Sequence, residues 1–115
     1  MSVKIIYHCF IDHHQNKYIM TTYQVEITIN SEVESEWLHW MKTKHIPDVV
    51  ATGLVSSFNI LKPENKPGAY IFQYHFASEN LFREYENEHS PRLKKESDQH
   101  YGGKFTATRT VFEWI

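Results

Sequence analysis

Alternation is cleanest between Thr22 and Ile29, where Tyr23, Val25, Ile27 and Ile29 are apolar and Gln24, Glu26 and Thr28 are polar. A period of two over that length predicts a strand with one buried face. Asn30-Ser31 then offers an N-cap, and Ser31 with Glu34 has the spacing of a capping box. Beyond it Val33, Trp37, Trp40 and Lys44 fall within a narrow arc at 3.6 residues per turn, with Met41 beside them. The arc predicts an amphipathic helix whose last stripe position, Lys44, lays its methylenes on apolar neighbours. Pro47 disfavours a helical Ile46, so a break is predicted there, with one more turn over 48–52 before Gly53.

Residues 54–61 read as a second strand, and 62–68, with two prolines and a glycine, as a turn. The segment 69–76 predicts an aromatic strand with Tyr70, Phe72, Tyr74 and Phe76 on one side and Ile71, Gln73 and His75 on the other. Ser78 caps a second helix whose face carries Leu81, Phe82, Tyr85 and His89. Ser90-Pro91 restarts a helical segment bearing Leu93, Gly102-Gly103 stops it, and 105–115 is the last strand. The order β-α-β-β-α-β is the split, ferredoxin-like pattern, an α+β fold with a four-stranded antiparallel sheet.

Both helices of that fold cover one face, and a bare sheet face should read polar. Here neither parity is convincingly polar. Phe112 and Trp114 oppose Phe105 and Val111, Ile71 opposes the aromatic row, and Val55 and Leu61 oppose Leu54, Phe58 and Ile60. The expectation is an open face too apolar for water, covered by a second copy in a two-fold dimeric α+β barrel.

Residues 1–19 differ from the rest. They hold Cys9, His8, His13 and His14, and 3–11 is nearly all apolar or aromatic. They read as an N-terminal extension to a single domain over 20–115, the alternatives being an extra strand or a start upstream of the native one. The run 5–11 after Lys4 has the flavour of a signal peptide. It is short, contains His8, and leads to Asp12-His13-His14 instead of a small-residue cleavage site. Cys9 and its histidines match no zinc spacing, so no metal is expected.

The net charge of −2 and pI near 6.4 leave no basic field for nucleic acid or anionic lipid. Ala69-Tyr70-Ile71-Phe72 resembles half of an RNA-recognition motif, but Gln73 stands where that motif needs an aromatic residue. No apolar run approaches the roughly 20 residues of a membrane span. A lone cysteine excludes an internal disulfide and suits a reducing compartment, so the expected location is the cytoplasm. No glycine-rich phosphate or dinucleotide loop occurs, and no cofactor is expected.

Two helix-like stretches end alike, in His45-Ile46-Pro47 and His89-Ser90-Pro91. One reading makes His45 and His89 proton carriers or ligand donors at the mouth of a pocket between helices and sheet. The other makes them caps on terminal carbonyls, favoured by the helix dipole. Arg109, mid-strand among threonines, either grips an anion with its planar fork or pairs with Glu26 or Glu113 as interface glue. Gln73 and His75 share a strand face that either lines the same barrel or is solvated. Trp37, Trp40, Tyr70, Phe72 and Tyr74 either form an aromatic ligand pocket or belong to the core, and Tyr85 lies on the helix face toward them. The candidate ligand set is thus His45, His89, Arg109, Gln73, Trp40 and Tyr85.

Trp37-Leu38-His39-Trp40-Met41, followed by His45-Ile46-Pro47-Asp48-Val49-Val50-Ala51-Thr52-Gly53, resembles the bacterial family known as domain of unknown function 4286. Tyr85, His89-Ser90-Pro91-Arg92-Leu93, Phe105, Ala107, Arg109-Thr110 and Glu113 extend the resemblance, which covers about 20–115. It implies a ferredoxin-like dimeric α+β barrel and brings no established activity. The expected function is a cytoplasmic homodimer binding a small, partly aromatic or anionic ligand. A second possibility, by analogy with the wider barrel group, is a cofactor-independent monooxygenase or isomerase with His89 as base and His45 or Arg109 stabilising charge. A third is a structural or partner-binding dimer without a pocket.

Overall fold

The computed structural model describes residues 19–115. The reading of the first 19 residues as an extension, with its cysteine and histidines, concerns residues that lie, but for Ile19, outside the described ones. The elements are β1 (Thr21–Ile29), α1 (Glu34–Trp40), α2 (Ile46–Val50), β2 (Ser57–Leu61), β3 (Ala69–Phe76), α3 (Glu79–Glu88), α4 (Ser90–Tyr101) and β4 (Phe105–Glu113). All strand pairs are antiparallel in the order β2-β3-β1-β4, which is the predicted split topology.

β1 lies between β3 and β4, so its parity assigns the faces of its neighbours. Tyr23, Val25 and Ile27 stand opposite Tyr74, Phe72 and Tyr70 on one side and Val111, Arg109 and Ala107 on the other. This face lies under the helices. Trp37 and Met41, then Ile46 and Val49, Phe82 and Tyr85, and Leu93 and Tyr101 close over it as one core. The aromatic row of β3 is buried as predicted, with Phe72 and Phe76 almost wholly removed from water.

Three local expectations are corrected. Asn30, not a Ser31–Glu34 capping box, opens the first helical stretch: its side chain accepts from the Glu32 amide at 2.8 Å, over a 3-10 turn Ser31–Val33. Glu34 instead accepts from the Tyr70 hydroxyl at 2.6 Å. No break occurs before Pro47. A π-helical turn, Met41–His45, widens the helix so that the Ile46 amide reaches the Met41 carbonyl, and α2 continues with Ile46 still helical. The wide turn accommodates a proline ring that would otherwise press on the Thr43 carbonyl. Lys44 is exposed and bonds Asp48 at 2.7 Å instead of lying along the stripe. At the margins, β2 starts at Ser57, not 54, and β4 ends at Glu113.

The largest correction concerns the open face, which is mostly polar. Its cross-strand rows are Asn59–Gln73–Gln24–Thr110, Ser57–His75–Thr22–Phe112 and Leu61–Ile71–Glu26–Thr108. Gln73 donates to Gln24 at 2.9 Å, and Lys66 bridges Glu26 at 2.6 Å. A chain of bonds links Asn59 to His75 (2.6 Å), His75 to Thr22 (2.8 Å) and Trp114 to Thr22 (2.7 Å). The exposed apolar residues of this face, Leu61 and, near the chain end, Phe112 and Trp114, sit toward its edges. The sequence reading erred because Phe58, Ile60, Phe105 and Val111 belong to the helix-side parity. Without the pairing register, their apolar character was counted against both faces.

Because Phe72 is 1% exposed at the centre of the core, Phe72→Ala is expected to cost about 3–5 kcal/mol. Urea unfolding followed by circular dichroism measures this, and a loss under 1 kcal/mol would show that the core lies elsewhere.

Candidate functional site

A cleft of about 50 Å³ remains between the helices and the sheet, walled by β1, β3 and β4 below and by the π turn, α3 and α4 above. His45, Tyr23, Tyr74, Tyr85, Lys94 and Arg109 supply most of its polar chemistry, with Asp98 in the wall and Met41, Phe72 and Leu93 as apolar lining. A second recess of about 120 Å³ shares Tyr23, Tyr85, Ser90, Lys94 and Arg109 and adds Glu86. The first space has room for a few waters or one small polar group.

His45 enters this cleft because the π turn carries it there, at the junction with α2. Its ring stacks on Trp40 with centroids 5.4 Å apart, and its Nδ1 is buried without a hydrogen-bond partner among the described residues. Burial lowers its pKa from the ordinary histidine value, outweighing the pull of Glu96 and Asp48. A C-capping role is therefore not what His45 performs. Trp40 lies behind it, close also to His100 (4.9 Å) and Tyr101 (5.5 Å).

Arg109 projects to the helix side, opposite Val25. The sequence reading placed it facing a shared barrel, with Gln73 and His75 on the same surface. They lie on the opposite face, because β1 pairs β3 and β4 in registers that put residue 109 level with residue 72 and not with 73. Glu26 points to that other face and is held by Lys66, so it does not pair with Arg109. Among the described residues Arg109 forms no ion pair within 4 Å.

His89 does not share the cleft. It joins α3 to α4 and borders a separate groove of about 440 Å³ with Lys44, Asp48, Arg92 and Glu96. Its Nδ1 lies 2.8 Å from Arg92 Nη1. A guanidinium only donates, so Nδ1 accepts. Of the candidates, the structure thus brings together His45, Arg109 and Tyr85, sets Trp40 behind them, and places His89 and Gln73 elsewhere.

Sequence reasoning missed Tyr23 and Lys94, and named Tyr74 only as core or as part of an aromatic pocket. Tyr23 and Tyr74 are also core, being 8% and 3% exposed. Their available signal was the phenol itself, since a buried hydroxyl needs a partner where phenylalanine would not.

The sequence profile described as Domain of unknown function (DUF4286) matches residues 20–115. The chain belongs to this family. No curated protein matches this DUF4286 member in sequence. Solved structures share its fold: SnoaB, a cofactor-independent oxygenase from Streptomyces nogalater, superposes with a TM-score of 0.63 at 11% identity over 84% of this chain and 94% of that one. NE2512, a protein of unknown function from Nitrosomonas europaea, gives 0.65 at 12% identity over 86% and 92%. An ethyl tert-butyl ether d (ethd) family protein from Bacillus halodurans C-125 gives 0.63 at 8% over 83% and 99%. The DUF4286 chain thus shares its α+β fold, with a four-stranded antiparallel sheet, with these structures.

The depressed pKa of His45 has a sign for stability. The unfolded chain binds the proton near pH 6.5 while the folded chain resists it, so stability falls as pH drops through 6.5 toward the lowered folded value. His45→Gln should flatten this slope. Urea midpoints between pH 7.5 and 5.5 for both proteins measure the difference; identical slopes would show that His45 titrates as if exposed.

Proposed function

We propose that this DUF4286 protein binds a small, partly aromatic or anionic molecule in the cleft between helices and sheet, as a cytoplasmic homodimer. The observation that carries the reading is the ring of His45. A buried nitrogen without a partner is unfavourable by about 1–3 kcal/mol, and here it stands in the wall of an unfilled cleft that also bears Arg109. Few convergent polar groups on an apolar lining are the usual composition of a ligand site. A molecule larger than a few atoms enters only if α4 shifts or if part of it stays in the adjoining recess.

The homodimer rests on fold kinship and on the edge residues Leu61, Phe112 and Trp114, the last 51% exposed, not on an apolar open face. An interface over the threonine, glutamine and histidine rows would be polar and hydrated, as many are. The cytoplasm is inferred from the single cysteine.

A second reading draws on one further observation. Burial favours the uncharged form of His45, the form that accepts a proton. In this reading an acidic C–H of the bound molecule breaks, the imidazole takes the proton, the electron pair stays on carbon, and Arg109 offsets the charge. His45, and not His89, is the base in this reading, since His89 stands outside the cleft. SnoaB, a cofactor-independent oxygenase of the same fold, supports such chemistry by analogy.

Thermal-shift screening of a metabolite panel should yield at least one stabiliser, bound about tenfold more weakly by His45→Gln. A panel without any stabiliser counts against the site. Deuterium exchange into the bound molecule, followed by NMR and lost in His45→Gln, would select the proton-transfer reading over simple binding. Sedimentation velocity at micromolar concentration should give a dimer that Trp114→Glu dissociates; a wild-type monomer would overturn the assembly.

A further inference from the structure

Among the described residues five tyrosines are buried between helices and sheet: Tyr23, Tyr70, Tyr74, Tyr85 and Tyr101. Two have an acceptor within the chain. Tyr70 donates to Glu34 at 2.6 Å and Tyr101 to Glu36 at 3.3 Å, each a phenol on a carboxylate at the margin of the helical layer. The other three line the cleft. Burial is the main influence on all three, and the charges of the Tyr23, Tyr74 and Tyr85 phenols act on one another. Among the described residues no side-chain hydrogen bond engages the Tyr74 or Tyr85 hydroxyl, and the Arg109 guanidinium acts on the Tyr23 phenol. Ring centroids of Tyr23 lie 6.4 Å from Tyr74 and 6.2 Å from Tyr85.

Donors thus outnumber acceptors around the cleft. Three phenols, the Arg109 guanidinium and the Lys94 ammonium border one small space. Glu86 and Asp98 stand in the adjoining walls, but neither forms a side-chain bond to these groups among the described residues. Among the described residues Tyr70 and Tyr101 donate to carboxylates, whereas Tyr23, Tyr74 and Tyr85 border the cleft.

We infer that Tyr23, Tyr74, Tyr85 and Arg109 form an oxyanion cradle that receives a carboxylate carried by the ligand, with Lys94 adding charge from α4. The inference rests on the cleft being a ligand site and names the chemical class the site takes. A carboxylate accepts from several donors at once, and charge-assisted bonds are stronger than neutral ones. The roughly 50 Å³ available admits a headgroup of this size and not a whole aromatic acid, so the rest of the ligand extends toward His45 or the adjoining recess. Because burial raises the pKa of all three phenols, they remain donors throughout the physiological range.

The test is titration of the full chain, labelled at the tyrosine ζ-carbons and histidine rings, with benzoate and with its neutral isostere benzamide. Benzoate should shift the Tyr23, Tyr74 and Tyr85 resonances and bind about tenfold tighter than benzamide. Tyr74→Phe and Tyr85→Phe, which keep the rings and their packing, should each weaken benzoate several-fold, and Arg109→Met should abolish the preference for the anion. Circular dichroism confirms that the variants fold, and the half-exposed rim of the site makes Arg109→Met the one least tied to the core. Equal binding of the two probes with shifts at His45 would overturn the cradle and leave the cleft as a site for neutral ligands. Absence of any shift with either probe would also overturn the cradle, while the metabolite screen judges the cleft separately.

Discussion

β1 is paired on both sides, and that single constraint decides what every other strand presents to each face. Its buried parity, set by Tyr23, Val25, Ile27 and Ile29, draws Phe72, Tyr74 and Arg109 under the helices through its two registers. The same parity sends Gln73, His75 and the threonines of β4 outward. A slip of one residue between β1 and β4 would turn Arg109 to the open face and Phe112 to the helices. The cleft therefore exists by virtue of a pairing register more than of any one of its side chains.

The helical layer contributes a local irregularity to this frame. A regular helix through Pro47 would place a missing amide and a crowded ring in its interior. The chain widens one turn at Met41–His45 instead, and that turn ends on the histidine lining the cleft. Backbone compliance around a proline and the placement of a possible proton acceptor are thus one feature. Wide turns of this kind recur where helices carry function.

Much of the architecture was legible from periodicity. The strict alternation of 22–29, the aromatic row of 69–76 and the Ser78 cap foretold β1, β3 and α3, and the order of elements foretold the topology. The site was legible only in part. Position in a helix marks His45 and His89 as equivalent, yet one ends a wide turn and lines the cleft while the other joins two helices beside a separate groove, a difference that depends on packing across long sequence separations. Arg109 was noticed for its type, but its face could not be assigned without the β1 register. Alternation counts a phenol and a phenyl alike, so Tyr23 and Tyr74 look like core; among the described residues the phenol–carboxylate bonds, to Glu34 and Glu36, are made by Tyr70 and Tyr101 instead.

The bonds running from Trp114 through Thr22 and His75 to Asn59 bear on how this sheet coexists with water. A threonine hydroxyl has one proton. With an uncharged imidazole, the indole N–H enters Thr22, the Thr22 proton goes to His75 Nδ1, and the Nε2 proton goes to Asn59. Each of these three protons finds an acceptor, from the tail after β4 to the outermost strand β2. The file thereby ties Trp114, beyond one edge of the sheet, to the strand at its opposite edge.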